Sequence, residues 1–373
     1  MDSKTAHCGI RLCEGSSHTI RAIEIALDHF GLSNAAEILT RQINGKTIVD
    51  VALRPEIAAQ WMPGNDTTAL ATCLVLDTLH SPDDLEKEIL AALLASPVLV
   101  EFPTAEELHA CIHIRRNIVI SGRRTELDFD TAAAERPTDC WRYDDERGFT
   151  VKPGCSLITA LKMATQPELS GHLYSFSCYR ATEYVILLAI AKELAGCNPA
   201  LLSQLQSRCE WRLIRSGQFH ETFLREYGSQ ESPLPMRYYV PGDRVWFRNP
   251  DEQSSDIVGF EGSWVLYLGG GLFTNFWKHD HPYTLSSKCL EIYHWRHGAC
   301  RNVEGALVMD ESVVERCVEK TLQDADEVRK IMEKMMRWRD PKGVYAEGGC
   351  IDTTREGPRW VCPESADLVI PVQ

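Results

Sequence analysis

The sequence of 373 residues predicts an α+β fold in which helices precede an antiparallel sheet. Up to about residue 214, apolar residues recur mainly at helical spacing, as in HTIRAIEIALDHFG and ALLSQLQSRCEWRLI. Further along the chain, PGDRVWFRNPD and FEGSWVLYLGGG alternate apolar and polar residues and are rich in aromatic and β-branched types, which is typical of strands. Because helices and strands are grouped along the chain, we do not expect an alternating α/β fold.

Residues 1–80 are predicted to form a mainly helical N-terminal extension. The segments HTIRAIEIALDHFG and NAAEILTRQI are interpreted as amphipathic helices, and KTIVDVAL as a strand. We find no chemical motif in this extension.

Residues 81–305 form the predicted central unit. Ser81, followed by two acidic residues, is typical of the capped start of a helix. Thr104 and Glu107 have the spacing of a capping box, which indicates that a second helix begins there.

Residues 306–373 are predicted to contain one long amphipathic helix and an extended tail. The apolar face of the helix consists of Val314, Cys317, Val318, Leu322, Ala325, Val328, Met332 and Met335. From Pro341 onward the chain is rich in Gly and Pro, so we expect an extended tail there.

The overall charge argues against a nucleic-acid partner. Asp and Glu number 53 against 39 Lys and Arg, which gives a formal charge of −14, whereas nucleic-acid binding needs a concentrated basic surface. The first twenty residues have no apolar core of signal-peptide length, and the longest apolar run is too short to cross a bilayer. We therefore expect a cytoplasmic protein without a membrane partner.

Cysteine and histidine spacing does not predict a resident metal. The 14 cysteines include no CxxC pair, and we expect most of them to be reduced and structural. HDH at 279–281 and HWRH at 294–297 supply four histidines that could share an ion, but neither a carboxylate ladder nor a fixed ligand spacing accompanies them. The sequence therefore predicts no metal site and no cofactor.

One cysteine, Cys178, lies where a loop becomes an apolar helix in GHLYSFSCYRATEYVILLAIAKEL. Ala181, Val185 and Leu188 follow at helical spacing, so Cys178 belongs to the first turn. Unpaired N–H groups and the positive end of the helix dipole favour the thiolate there, which makes Cys178 a candidate nucleophile. The alternative interpretation is a small buried core residue, because free cysteine is often buried.

Five segments occur in the order of one family: LEKEILAALLASPVLVEF, AEELHACIHIRRNIV, LYSFSCYRAT, PGDRVWFRNPD and EGSWVLYLGG. Together they resemble the Bacillus spore-coat transglutaminases, which cross-link proteins through glutamine and lysine side chains. The resemblance runs from about Leu85 to Phe276 and more weakly to Gly305. It implies a papain-like, NlpC/P60-like core, in which a cysteine at a helix N-terminus faces a small antiparallel sheet, and it places the nucleophile on Cys178.

Two glutamates of that family are missing from this chain. The residue before the nucleophile is Ser177, and the second glutamate aligns with Ser263. Because side chains alternate along a strand, Glu261 is expected on the same side as Ser263, where it could replace the missing base. The alternative is that Glu261 begins a strand at a solvated end.

The histidine of the family is also displaced. Its position aligns with Phe276, and His279 lies just beyond. A cysteine nucleophile generally needs a base or an imidazolium within hydrogen-bond reach, so His279 is a candidate substitute and Asn275 a candidate for orienting it. The alternative interpretation of His279 is an exposed loop residue.

The resemblance implies that Cys178 attacks a side-chain carboxamide, releases ammonia and forms a thioester, which an amine converts to an isopeptide. The backbone N–H groups of Cys178 and Tyr179 would hold the oxyanion. Trp246, Trp264 and Trp277 could line a tunnel that excludes water, although tryptophans on strands more often fill a core.

The expected partners are protein or peptide glutamine and amine substrates, or a small amide, and the sequence predicts no particular oligomeric state. Two other functions stay open. Loss of the glutamates could leave a glutamine deamidase or amidase, because water would replace the amine. The fold could also be a catalytically altered interaction module, in which case Cys178 has no catalytic role.

Overall fold

The computed structural model describes residues 9–129, 134–212, 215–342 and 348–371 and confirms a mixed α+β architecture. The N-terminal elements are β1 (Ile10–Leu12), α1 (Ser17–His29), β2 (Ala36–Ile43), β3 (Lys46–Leu53), α2 (Pro55–Trp61), a 3-10 turn (Pro63–Asn65), α3 (Leu70–Cys73), α4 (Pro82–Leu94) and β4 (Val100–Phe102). The next group is α5 (Ala105–Arg123), β5 (Asp128–Phe129), β6 (Trp141–Asp144), β7 (Gly148–Val151), α6 (Leu157–Thr165), α7 (Pro167–Ser170), β8 (Ser175–Phe176), α8 (Cys178–Cys197), α9 (Pro199–Trp211) and α10 (Ser216–Phe223). The remaining elements are β9 (Leu224–Tyr227), β10 (Arg244–Arg248), α11 (Glu252–Ser255), β11 (Gly262–Gly269), β12 (Leu272–Phe273), β13 (Tyr283–Thr284), α12 (Leu285–Gly298), β14 (Ala299–Arg301), β15 (Leu307–Met309), α13 (Glu311–Leu322), α14 (Ala325–Met335) and β16 (Arg355–Pro358).

The described part of the N-terminal extension combines three strands with its helices, and one of its two predicted amphipathic helices is wrong. Residues 36–43, which were predicted to be a helix, form β2 and pair along their full length with β3. The two strands are joined by Asn44 and Gly45, both with positive φ, as a two-residue hairpin of the primed type requires. The apolar residues of this segment have helical spacing, but the turn formed by Asn44 and Gly45 favours a hairpin, and the hairpin is the structure that forms.

The sheet of the N-terminal extension also crosses the predicted boundary at residue 80. Its strand order is β2-β3-β1-β4, and β4 belongs to the central unit. Because β1 pairs in parallel with β4, residues 9–80 pack as part of one body with the residues that follow.

Both predicted helix caps are present, but one carboxylate has a different role. The Ser81 hydroxyl accepts the N–H of Asp84, and the Thr104 hydroxyl accepts the N–H of Glu107. The buried carboxylate of Glu107 does not complete a capping box. It accepts hydrogen bonds from the backbone of Val361 and Cys362, and from the hydroxyl group of Ser365, a residue close to them in the tail.

The C-terminal tail is part of the main sheet. The six strands run in the order β13-β12-β11-β10-β16-β9, so β16 of the tail lies between two strands of the central unit. The long C-terminal helix of the prediction is two helices, α13 and α14, because the side chain of Asp324 accepts the N–H groups of Asp326 and Glu327 and starts the second helix. The C-terminal segment thus contributes an internal strand to the sheet instead of only flanking it.

A disulfide joins Cys140 to Cys155 around the β6–β7 hairpin, and the other eleven cysteines of the described ranges are free. Disulfides are more typical of oxidising compartments than of the cytosol, so the cytoplasmic location stays a prediction. Among the described residues, none of the helices combines the length and the apolar composition needed to cross a bilayer.

We predict that Glu107→Gln lowers the free energy of unfolding by about 2 to 3 kcal/mol. A neutral amide oxygen accepts weaker hydrogen bonds than a carboxylate does, and the new N–H₂ group would face backbone N–H donors. Urea denaturation followed by circular dichroism measures this change. Glu333→Gln, on the exposed face of α14, is the matched control and is expected within about 0.5 kcal/mol of the wild type. Equal stabilities of the two variants would contradict the role of Glu107 in holding the tail.

Candidate active site

The start of α8 is held against the sheet by Arg244 of β10. Its buried guanidinium donates to the hydroxyl of Thr182 on α8 (2.9 Å) and to the carboxylate of Glu356 on β16 (3.1 Å). The same group lies over the rings of Tyr179 (4.3 Å) and Trp264 (4.1 Å). One side chain therefore connects the first turn of α8 with β10, β11 and β16.

Cys178 is the first residue of α8 and is partly accessible to solvent. Burial raises the pKa of its thiol, and this effect is opposed by the backbone N–H of Trp264, the charge of Lys288, the backbone N–H of Tyr179 and the charge of Arg244. The sequence argument favoured the thiolate, but the net shift is toward the thiol, because removal from water outweighs the helix terminus and the two cations. Cys178 is thus a buried thiol whose thiolate is stabilised by two backbone N–H groups and two cations.

Cys178 opens into a cavity of about 310 Å³. The cavity lies between the start of α8, the edge of β11, the loop after β12, and helices α12 and α13. Its walls are formed by Phe129, Cys178, Gly259, Phe260, Gly262, Ser263, Asn275, Trp277, Lys278, Tyr283, Ser287, Lys288, Glu291, Trp295, Glu311, Val314, Glu315, Val318 and Glu319.

Lys288 is the buried cation of this cavity. Its Nζ donates to the carboxylate of Glu291 (2.6 Å) and lies 4.0 Å from the ring centre of Tyr283. The Tyr283 hydroxyl donates to the second oxygen of the same carboxylate (2.9 Å). Glu291 thus orients both a cation and a hydroxyl group in the cavity that contains Cys178.

Helix α13 supplies the acidic wall of the cavity through Glu311, Glu315 and Glu319. Burial raises the pKa of Glu311, and the nearby carboxylates of Glu291 and Glu315 add to this effect. Lys278, which donates to Glu315, and Lys288 act in the opposite direction. The four carboxylates of the cavity, including Glu291, outnumber these two cations, so the cavity favours a further positively charged group.

The structure does not bring the two predicted bases to the cavity. Glu261 is exposed and accepts the N–H of Gly259 (3.1 Å), as expected for the alternative of a solvated strand end. His279 lies between the carboxylates of Glu126 (2.9 Å) and Asp280 (3.0 Å). Neither residue lines the cavity of Cys178, because both lie in loops whose course the strand pattern does not determine.

Two of the predicted neighbours do line the cavity. Ser263 is buried beside Gly262 at the start of β11. Asn275 also lines it, but its amide donates to the backbone carbonyl of His281 (3.0 Å) and does not orient an imidazole.

Ser177 and Tyr179 serve the fold of the site. The Ser177 hydroxyl caps α8 by accepting the N–H of Arg180. Ser177 lines a separate cavity of about 370 Å³ that is rich in arginine. The Tyr179 hydroxyl donates to the carbonyl of Ser216, and its ring packs on Trp264, so only its backbone N–H faces the thiol.

The predicted tunnel of three tryptophans is not formed. Trp277 lines the cavity, whereas the rings of Trp246 and Trp264 stack on each other with centres 5.7 Å apart. They face each other because β10 and β11 place them in register. Trp295 of α12 provides a second indole in the cavity wall instead.

Sequence reasoning missed Lys288, Glu291, Tyr283 and the acids of α13. The pair Lys288 and Glu291 has the i, i+3 spacing of a helical ion pair, which was visible in the sequence. Such pairs are common on solvated helices, and only the fold shows that this one is buried beside a cysteine.

We predict that the alkylation rate of Cys178 rises with pH, with an inflection above the ordinary pKa of a cysteine thiol, because burial disfavours the thiolate. Lys288→Met removes a stabilising charge, so the inflection moves to higher pH and labelling at pH 8 slows. Site-resolved mass spectrometry after iodoacetamide treatment measures both effects. Lys288→Arg should retain most of the rate, and Lys330→Met, on the exposed face of α14, is the control. An inflection that Lys288→Met leaves in place would contradict the assignment.

Comparison with known proteins identifies the family of the chain. The model of the family described as protein-glutamine gamma-glutamyltransferase matches residues 69–366. This match is wider than the resemblance seen in the sequence and includes α13, α14 and β16.

No curated protein matches the chain. Among solved structures, the chain is similar to the transglutaminase from Geobacillus stearothermophilus without its C-terminal extension, with 19% identity, coverage of 57% of this chain and 98% of that chain, and a TM-score of 0.39. Since the family model spans most of the sequence, this chain belongs to the protein-glutamine gamma-glutamyltransferase family, the transglutaminases.

Proposed function

We propose that the chain catalyses acyl transfer through a thioester on Cys178, from the side-chain carboxamide of a glutamine residue to the primary amine of a lysine or another amine. The observation that carries this proposal is the cavity in which a helix-terminal cysteine shares its walls with Lys288 and Glu291. Family membership supports the same type of reaction. The position of α8, whose start meets an antiparallel sheet, also supports the papain-like, NlpC/P60-like interpretation of the core.

The first half-reaction requires a thiolate and a proton for the leaving group. The sulfur forms a bond to the acyl carbon, the C–N bond breaks, and the proton of the thiol ends on the departing ammonia. Lys288 supports this step because its charge stabilises the thiolate as the proton leaves. Glu291, which accepts hydrogen bonds from Lys288 and Tyr283, is the group that can relay the proton.

The oxyanion of the tetrahedral intermediate would lie at the start of α8. Of the two predicted donors, the N–H of Tyr179 acts on the sulfur, and the N–H of Trp264 on β11 acts on it as well. Donors held by a helix and a strand are preorganised, and their strength increases once substrate displaces water from the cavity.

The acidic wall of α13 favours transfer over hydrolysis as the second half-reaction. Glu311, Glu315 and Glu319 line the same cavity as Cys178 and attract a cationic amine. A carboxylate of the wall takes one proton from the ammonium group, and the neutral amine then attacks the acyl carbon. The new amide bond forms, the carbon–sulfur bond breaks, and a second proton passes from the nitrogen to the sulfur. A glutamine deamidase is the second candidate, because the partly solvated cavity also admits water.

We predict that Cys178→Ser abolishes incorporation of a fluorescent primary amine into a glutamine peptide and leaves the unfolding midpoint nearly unchanged. Cys300→Ser, at an exposed free thiol, is the matched control and should retain full activity. Ammonia is measured in parallel. Amine incorporation identifies a transferase, and ammonia without incorporation identifies a deamidase. Turnover by the Cys178→Ser variant equal to the wild type would overturn both.

We predict that Glu291→Gln lowers kcat/KM for the same peptide by about 10²- to 10⁴-fold, since the proton relay is lost and Lys288 is no longer held. Initial rates between pH 6 and 10 measure the effect, and the pH profile should change shape as well as height. Glu327→Gln, in the exposed first turn of α14, controls for the loss of one acid. A variant with an unchanged profile would exclude Glu291 from the reaction.

A further inference from the structure

We propose that His294, His297 and Cys317 form a zinc-binding site between α12 and α13. The two histidines lie one turn apart on α12, and the cysteine comes from α13. One ring nitrogen of each histidine and the sulfur all lie within 4.8 Å of one another. The Nδ1 atoms of His294 and His297 share a hydrogen bond of 2.9 Å, which a bound ion would replace. This compact spacing fits ligands that surround one ion with bonds of about 2.0 to 2.3 Å.

The close approach of the two helices explains why the three ligands meet. Gly298 ends α12, and a Cβ at this position would lie 2.6 Å from Val314 of α13. The carbonyl of Gly298 also accepts the N–H of Asp310, the cap of α13. Because no side chain separates the helices there, α13 passes close enough to bring Cys317 to the histidines.

The buried ring of His294 is already oriented as a metal ligand. Its Nε2 lies 2.8 Å from the hydroxyl of Thr321, one turn beyond Cys317 on α13. A ring nitrogen that is bonded to a neighbouring oxygen leaves the opposite nitrogen, Nδ1, for the ion, and partners of this kind fix both tautomer and orientation. His279 and His281, the other two histidines considered in the sequence, are not part of this group in the described chain.

The three ligand atoms determine which kind of metal ion would bind. Two imidazoles and one thiolate favour a borderline-soft ion over Mg²⁺ or Ca²⁺, which prefer oxygen ligands. His297 is exposed, so water can reach the fourth position of a tetrahedral zinc ion. Binding would release the thiol proton of Cys317 to solvent.

A bound ion would act on the active-site wall and not on the acyl group. Val314 and Val318 of α13 line the cavity of Cys178, and Cys317 lies between them in sequence. Lys288 and Trp295 of α12 line the opposite part. Cross-linking of α12 to α13 would therefore hold the two helices that enclose the substrate.

The test uses the full chain, stripped with EDTA, equilibrated with Zn²⁺ and desalted, with metal content measured by mass spectrometry. The wild type should retain one zinc ion per chain, and both Cys317→Ser and His297→Asn should lose it. Cys300→Ser and His281→Asn are matched controls that should retain it. Thr321→Val is expected to weaken affinity by about 10- to 100-fold, because it removes the orienting partner of His294.

Cobalt provides a readout of the thiolate. The Co²⁺-loaded wild type should show a thiolate-to-cobalt charge-transfer band that is absent from Cys317→Ser and present in Cys178→Ala. The last comparison separates this proposal from the proposed acyl transfer, since metal binding does not require the nucleophile. Zinc retention that is equal in wild type and Cys317→Ser, or a cobalt complex without the band, would overturn the site. Circular dichroism of each variant confirms that it is folded.

Discussion

The buried guanidinium of Arg244 is the interaction on which the proposed site depends. It binds Thr182 on α8 and Glu356 on β16 while its face covers the rings of Tyr179 and Trp264. Removing one partner of such a buried charged pair costs about 3 to 5 kcal/mol, because the remaining charge is left without compensation. The start of α8 and the backbone of β11 are thereby kept in the positions from which two N–H groups face Cys178.

That arrangement creates opposing electrostatic effects at one sulfur atom. Burial raises the pKa of the thiol, and Lys288, Arg244 and two backbone N–H groups act in the other direction. A substrate that displaces water from the cavity removes hydration from the thiolate, which disfavours the charged form. The same removal of water strengthens the interaction of the thiolate with Lys288, so stabilisation of the thiolate then depends on these protein groups.

The C-terminal segment contributes both to the main sheet and to the cavity of Cys178. Its strand β16 carries Glu356, the partner of Arg244, and its helix α13 forms a wall of the cavity. Glu107 of α5 holds the chain just beyond β16 through the N–H groups of Val361 and Cys362. The match to the family extends to residue 366 and therefore includes these contacts. A chain without this segment would lack an internal strand of the sheet.

Local patterns in the sequence determined the α+β class, the caps at Ser81 and Thr104, the helix that begins at Cys178 and the strands β10 and β11. These features could be predicted because a cap, a helix start or a strand depends on residues only a few positions away. The helix predicted at residues 36–43 failed where the local turn at Asn44 and Gly45 was not weighed. The surroundings of Cys178 were decided by tertiary structure. Lys288 and Glu291 reach the cavity because α12 packs over the sheet, and the pKa of Cys178 rises because the folded chain excludes water from the thiol. Helical spacing specifies which side chains share a face, but burial and the contacts between distant segments decide which of those faces can perform chemistry.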